Sequence, residues 1–385
     1  MRTMENFEIL APCHFGLEAV LKREIYDLGY EISRVEDGHV AFWGDPEAIA
    51  MANVHLRCAE RVLLVVGRFC ATTFEELFQG ILALPWEKYI PFDGRFWVTK
   101  ATSVKSKLFS GPDIQSVTKK AMVRRMQRTY QVDLFPEDGA DYPVRLFLYK
   151  DQVTVTLDTT GIPLHKRGYR TMTSKAPLSE TLAAALLMLT PWRGERTLLD
   201  PFCGSGTFLI EAAMMAAGIA PGARRSFTAE KWGNLIDPSI WTDVKEEAIE
   251  GEDTSVETNL SGFDLDPDMV RIARINAKQA GVDHMIHFQQ RDAGDTRHPG
   301  KYGFIVTNPP YGERIADQKE LPALYGKLGK VMEVLPTWSL YVITSYEDAQ
   351  KYIGRKADRN RKIYNGMIKT YFYQYPGPKP PRKKA

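Results

Sequence analysis

Cysteine is scarce in this sequence. Cys13, Cys58, Cys70 and Cys203 are the four in 385 residues, and no two stand in a C-x-x-C spacing. That excludes a disulfide framework or a cysteine zinc site and points to a reducing, cytoplasmic setting. No apolar run approaches the roughly 18–20 residues that span a bilayer. The first ten residues carry Glu5 and Glu8 and lack a long apolar core, so no signal peptide is expected. His284 and His287 form an H-x-x-H pair with no third ligand in view, so no metal is expected. No internal repeat of the solenoid kind is visible.

What is present fits a globular protein of two or three domains, with 44% apolar and 25% charged residues. A net charge of only +2 conceals an asymmetry. Residues 95–130 hold nine Lys or Arg against the single acid Asp113. Residues 164–175 add Lys166, Arg167, Arg170 and Lys175 with no acid, while acids gather at 237–257. Two acid-poor stretches favour a polyanion surface over an ordinary solvated helix face.

The N-terminal half reads as α+β. Leu17, Val20, Leu21, Ile25 and Leu28 recur at helical spacing, with Gly29 at the C-cap position. Strand patterns occupy 7–11, 31–43, 61–69 and 96–102, and 114–130 reads as a basic amphipathic helix. Residues 144–149 and 153–158 form a hairpin around Lys150-Asp151. Residues 159–177, with Gly161, Pro163, Gly168 and Pro177, read as a linker. Beyond it, helices at 178–189 and 207–217 alternate with strands at 197–200, 260–264, 285–290, 304–307 and 339–343, the mark of a parallel α/β sheet. Asn365-Gly366 between 362–364 and 367–369 signals a final hairpin.

Four constellations carry chemistry. Leu198-Leu199-Asp200-Pro201-Phe202-Cys203-Gly204-Ser205-Gly206-Thr207 is an apolar strand, an acid, a glycine turn and a helix start, a place for backbone to approach a ligand. The turn is neither G-x-G-x-x-G nor a phosphate loop. Asp264 and Asp292 end the following strands, where such sheets bind ligands; one can accept ribose hydroxyls and the other an adenine amine. Thr307-Asn308-Pro309-Pro310-Tyr311 completes the set. Its prolines turn carbonyls outward, so the Asn308 oxygen and the Pro309 carbonyl can accept both protons of a planar amine while Tyr311 stacks on the base. Cys203 reads as a small buried thiol rather than a nucleophile.

The sequence 200–207 together with Asn308-Pro309-Pro310-Tyr311-Gly312-Glu313-Arg314 resembles the class I methyltransferases of the amino type. With Leu164-His165-Lys166-Arg167-Gly168-Tyr169-Arg170 and Glu180-Thr181-Leu182-Ala183-Ala184-Ala185, the chain is similar throughout to the bacterial large-subunit ribosomal RNA guanine-N2 methyltransferases. The resemblance implies a ferredoxin-like segment (1–57), a THUMP RNA-binding domain (58–160) and a Rossmann-like methyltransferase domain (178–375), while composition gives a basic linker (161–177) and a proline-rich, basic, disordered tail (376–385).

It further implies S-adenosylmethionine as cofactor, S-adenosylhomocysteine as product, and RNA, 23S or a large-subunit precursor, as partner. Asp200, Cys203, Gly204, Gly206, Asp264 and Asp292 would hold the cofactor, with Ser179, Glu180 and Thr181 beside its methionine end. Asn308, Pro309, Pro310 and Tyr311 would hold the base. Lys119, Lys120, Arg124, Arg125, Arg128, Lys166, Arg167 and Arg170 are the candidate RNA contacts. Some members carry a second methyltransferase domain, which these residues do not contain, and the long stretch 218–259 with Trp232 and Trp241 departs from the usual spacing. Adenine-N6 methylation of DNA or RNA, protein glutamine methylation, and non-catalytic RNA binding in ribosome assembly stay open.

Overall fold

The computed structural model describes residues 6–170, 178–311, 319–366 and 368–381. They form two seven-stranded sheets. In the N-terminal half the chain runs β1 (Phe7–Pro12), α1 (Glu18–Asp27), β2 (Glu31–Glu36), β3 (His39–Gly44), α2 (Pro46–His55), β4 (Leu63–Cys70), α3 (Phe74–Ala83), β5 (Arg95–Val104), α4 (Gly111–Tyr130), β6 (Asp141–Tyr149) and β7 (Gln152–Asp158). The sheet order is β2-β3-β1-β4-β7-β6-β5. β4 therefore joins two parts: it pairs with β1 through Leu63 and Leu64 and with β7 along its whole length.

Local chemistry accounts for the turns. The helix expected at 17–28 is α1, and Gly29 follows it at φ +88. Lys150 and Asp151 both take positive φ, the pattern of a two-residue hairpin turn whose twist suits β6 and β7. The strand-like stretch 31–43 is two strands, because Gly38 at φ +77 reverses the chain. In this half two helices not expected from the sequence have starts that are spelled out there. Asp45 caps α2, which opens on Pro46, and Thr73 with Glu76 forms a capping box on α3.

The C-terminal half runs α5 (Glu180–Met188), β8 (Leu198–Asp200), α6 (Thr207–Ala216), α7 (Pro238–Glu250), β9 (Leu260–Asp264), α8 (Pro267–Gln279), β10 (Ile286–Gln290), β11 (Phe304–Thr307), α9 (Leu321–Val334), β12 (Ser339–Thr344), α10 (Ala349–Ile353), β13 (Arg359–Asn365) and β14 (Ile368–Tyr375). In the order β10-β9-β8-β11-β12-β14-β13 only β14 is reversed, antiparallel to both of its neighbours. From β8 the chain builds outward to β10, then returns to β11 on the other side. In sheets of this kind ligands bind where the strand order reverses, here at the carboxyl ends of β8 and β11. No described helix is long and apolar enough to cross a membrane.

The stretch 218–259 fastens the two halves together. Trp232 is fully buried, stacks on Tyr142 of β6 at 4.9 Å between centroids, and donates its indole N–H to Asp141 O at 2.8 Å. Asn234 bonds the Tyr142 hydroxyl and Tyr89 O, Ala229 N donates to Thr159 O, and Gly222 N donates to Val54 O. The described part of the segment expected as a linker, through Arg170, packs against its surroundings. Thr159 and Thr160 are buried and share Asn53, and Leu164 and Tyr169 belong to the core.

Candidate functional site

β8 ends in Asp200 and β9 in Asp264, Asp292 follows β10, and Asn308 follows β11. Asp200 is buried and accepts from Phe202 N at 3.1 Å and from the Thr307 hydroxyl at 2.6 Å. It thus ties the glycine turn to the strand that carries Asn308. Burial pushes its carboxyl up to about 7, against the opposing pull of those two hydrogen bonds.

The glycine turn is fixed from β9. Gly204 sits at φ +50 and donates its N–H to Asp264 Oδ2 at 3.0 Å, and a Cβ there would meet nothing within 4 Å. Gly206, at φ +85, is needed for space as well: its Cβ would come within 3.0 Å of Phe288 and 3.1 Å of Ala273. α6 then begins with no side chain capping it, leaving its first N–H groups and dipole open to an anion. Asp264 also accepts from Asp266 N at 2.9 Å, and each of its oxygens keeps a lone pair for a further donor. Burial holds this carboxyl above its ordinary range. Leu265, the next residue, is 66% exposed. A strand-end acid for two hydroxyls, an apolar side chain for a purine face and an uncapped helix for a carboxylate fit an S-adenosyl amino acid. Leu265 was not singled out in the sequence, although an apolar residue directly after a strand-end acid was visible there.

Asp292 is differently placed. Lys327 of α9 contacts it at 2.5 Å and holds its carboxyl below the usual range, and its other oxygen accepts from Gly294 N at 2.8 Å. An adenine amine would have to share or displace these partners. Cys203 is buried, and burial pushes its thiol well above the ordinary value. Asn308 Oδ1 accepts from the Tyr311 hydroxyl. Pro310 O does not point freely outward: it accepts from Tyr325 OH at 3.4 Å, which also meets Thr344 Oγ1 at 2.5 Å. Gly312, Glu313, Arg314 and Lys175 lie outside the described residues.

Other expected residues are turned inward. Thr181 is fully buried and donates to Glu60, while Glu180 is buried against Arg170 Nε at 3.6 Å. Glu60 was missed by sequence reasoning because its partners are distant in the chain. His14 lies at 3.2 Å, His165 at 2.9 Å, and His14 also reaches Ser179 Oγ at 3.2 Å. Burial alone would raise the Glu60 carboxyl, but these donors outweigh it and hold it below the usual range.

The basic residues divide. On α4, Lys120, Arg124 and Arg128 are exposed at four-residue spacing, one stripe on the helix, and form no ion pair among the described residues. Lys166 is exposed too. Arg125 is engaged by both oxygens of Glu87, and Lys119 lies 3.9 Å over the Phe96 ring. Arg167 and Arg170, expected at the polyanion surface, are inside the protein. Arg167 bonds Leu164 O at 2.8 Å and Arg57 O at 2.6 Å beside Glu211 at 3.5 Å, and Arg170 bonds Thr207 Oγ1 at 2.6 Å. Among the described residues no three His, Cys, Asp or Glu side chains gather to hold a metal.

Comparison with known proteins agrees with this architecture. A family model described as RMKL-like, methyltransferase domain matches residues 167–374, over half the chain. An RlmL ferredoxin-like domain matches 8–63 and a THUMP domain 71–158. YpsC of Bacillus subtilis (strain 168), whose name assigns it provisionally to the RNA methyltransferases, is 43% identical over 385 residues, 99% of each chain. The ribosomal RNA large subunit methyltransferase K/L of Psychromonas ingrahamii is 35% identical over 94% of this chain and 49% of its own. SMU.472, solved in complex with SAH and provisionally classed as a methyltransferase, is 43% identical with a TM-score of 0.92 over 98% of this chain and 100% of its own. A Listeria monocytogenes (str. 4b F2365) structure, named a predicted N6-adenine-specific DNA methylase, is 44% identical with a TM-score of 0.91 over 97% of both chains.

Proposed function

Because this chain belongs to the RMKL-like methyltransferase family, we propose that it methylates an exocyclic amine of an RNA base, and specifically N2 of a guanine in large-subunit ribosomal RNA. The observation that carries the reading is the 2.6 Å bond from Thr307 to Asp200, which couples the Asn308 motif to the nucleoside turn across β8 and β11. The RNA class draws on the THUMP match, the exposed stripe on α4 and the names of YpsC and the K/L relative. The guanine draws on the K/L resemblance.

When bound, S-adenosylmethionine supplies an electrophilic methyl on a sulfonium. The protein's task is then alignment, a contribution that reaches roughly 7–11 kcal/mol. Asn308 Oδ1 and the Pro309 carbonyl accept the two amine protons and aim the nitrogen lone pair. For that, Tyr311 must release Asn308 and turn its ring to the base. No strong general base is required, since the proton can leave after transfer. The target must be unpaired or flipped out of its helix to enter.

Adenine-N6 methylation is the second reading, favoured by the shared Asn-Pro-Pro-Tyr chemistry and the name of the Listeria structure. Labelled-methyl transfer to RNA from a strain lacking the gene, followed by nucleoside mass spectrometry, tests both. N2-methylguanosine is expected. N6-methyladenosine would replace the guanine reading, and labelling of DNA but not RNA would overturn the RNA class.

A further inference from the structure

The hairpin of β13 and β14 stands at the rim of the same site. Tyr371 pairs with Thr344, the last residue of β12, so 368–370 and their partners 363–365 project past the carboxyl edge of the sheet. Cross-strand partners share a face, and the register sets Lys362 opposite Tyr371 and Tyr364 opposite Lys369. Rings and ammonium groups thus occupy alternate corners of a two-by-two patch. Lys362 Nζ lies 5.2 Å from the Tyr364 centroid and Lys369 Nζ 5.1 Å from that of Tyr371. Both lysines are exposed and both rings are half-buried, while Ile363 and Thr370 face the core. Residues 359–369 contain Arg359, Arg361, Lys362 and Lys369 and no acid.

The patch is continuous with the amine-binding motif, since Thr344, beside Tyr371, shares Tyr325 OH with Pro310 O. The N-terminal half completes it. Phe15, 44% exposed, sets its ring edge-on to Tyr364 at 6.2 Å. Its loop is pinned by His14 Nδ1 to Tyr364 O at 3.0 Å and by Arg361 to Gly16 O at 2.7 Å. A Cβ at Gly16, φ +89, would come within 2.9 Å of Lys362 O.

We propose that Phe15, Tyr364 and Tyr371, with Lys362 and Lys369, form a stacking platform for the single-stranded RNA that flanks the target base. The inference rests on the RNA reading above. Every base has a π face, so the rings hold neighbours of any sequence while the ammonium groups meet their phosphates. Three strand spacings separate β11 from β13, a sideways step of about 15 Å that the next few nucleotides can span. Duplex RNA hides its base faces and cannot use the platform.

The test uses the full-length protein with S-adenosylhomocysteine and two dye-labelled probes, a mixed-sequence single-stranded RNA of about ten nucleotides and a blunt RNA duplex of the same length. Binding is read by fluorescence anisotropy. Tyr364→Ala with Tyr371→Ala is expected to weaken single-strand binding about tenfold or more and to leave duplex and S-adenosylhomocysteine affinities within about twofold. Tyr364→Phe with Tyr371→Phe keeps the rings and the wild-type affinity. Lys362→Gln with Lys369→Gln lowers the salt slope by about 1.4. Unchanged single-strand binding in the double alanine variant, or an equal loss on both probes, overturns the proposal. Should that variant fold poorly, Phe15→Ala removes a rim ring without emptying the core and carries the same expectation at smaller size. Failure of the guanine reading shows separately, as a different methylated nucleoside, and leaves the platform standing.

Discussion

In the proposed reaction Asn308 and Asp264 divide the work of the site, and the division can be read out. Asn308→Ala removes an acceptor for the amine but nothing that touches the glycine turn. Single-turnover transfer should fall about a hundredfold or more, the scale of losing one preorganised hydrogen-bonding group, with S-adenosylhomocysteine affinity kept. Asp264→Ala should do the reverse to binding and weaken the cofactor by about 1.5–3 kcal/mol. Equal losses of both quantities in either variant would defeat this assignment. Asp200 makes a further prediction. Its folded carboxyl is raised to about 7 by burial, so the native state holds a proton that the unfolded chain gives up near its ordinary range around 4. The stability it contributes is complete below that range and is lost as pH rises through about 7. Asp200→Asn keeps the acceptor for Phe202 N and Thr307 and cannot titrate. The melting temperature of wild type minus that of the variant should therefore decline between about pH 4 and 7 and flatten above. A difference that does not vary with pH would contradict it.

Among the elements, the stretch 218–259 is the one with the clearest mechanical role. Trp232→Ala empties a fully buried ring site against Tyr142 and removes the bond to Asp141 O, which should cost about 3–5 kcal/mol. Calorimetry should show the lowered transition, and hydrogen exchange should rise first in β6 and in 222–235. A melting temperature within a degree of wild type would rule the clasp out. The sequence could not announce this contact, because nothing near Trp232 says that Tyr142 will face it. What it did announce was local. Asp200 and Asp264 each end a short strand and Asn308 directly follows one, and their placement follows from chain order alone. Thr73 and Glu76 were equally local and were passed over. Arg167 illustrates the limit, since a positive charge in a glycine-rich stretch gives no sign that Glu211 and two carbonyls will enclose it. The tie between Glu60 and His14, His165 and Thr181 likewise exists only once both halves have folded.

Across the whole molecule, the stripe of Lys120, Arg124 and Arg128 sits on the N-terminal half and the proposed chemistry on the C-terminal half, the two joined by the clasp. Replacing all three with Gln should leave the cofactor affinity unchanged. It should reduce the slope of log affinity against log salt by about 2–3 for RNA, with little sequence preference. An unaltered slope would remove α4 from the interface.

β4 lies between β1 and β7, so the first sheet offers no clean place to cut, even though separate sequence models distinguish its two parts. A gene severed just before Leu63 would give each fragment a bare strand edge, ready to pair with whatever backbone it meets. Either part expressed alone should therefore aggregate more readily than the two expressed together.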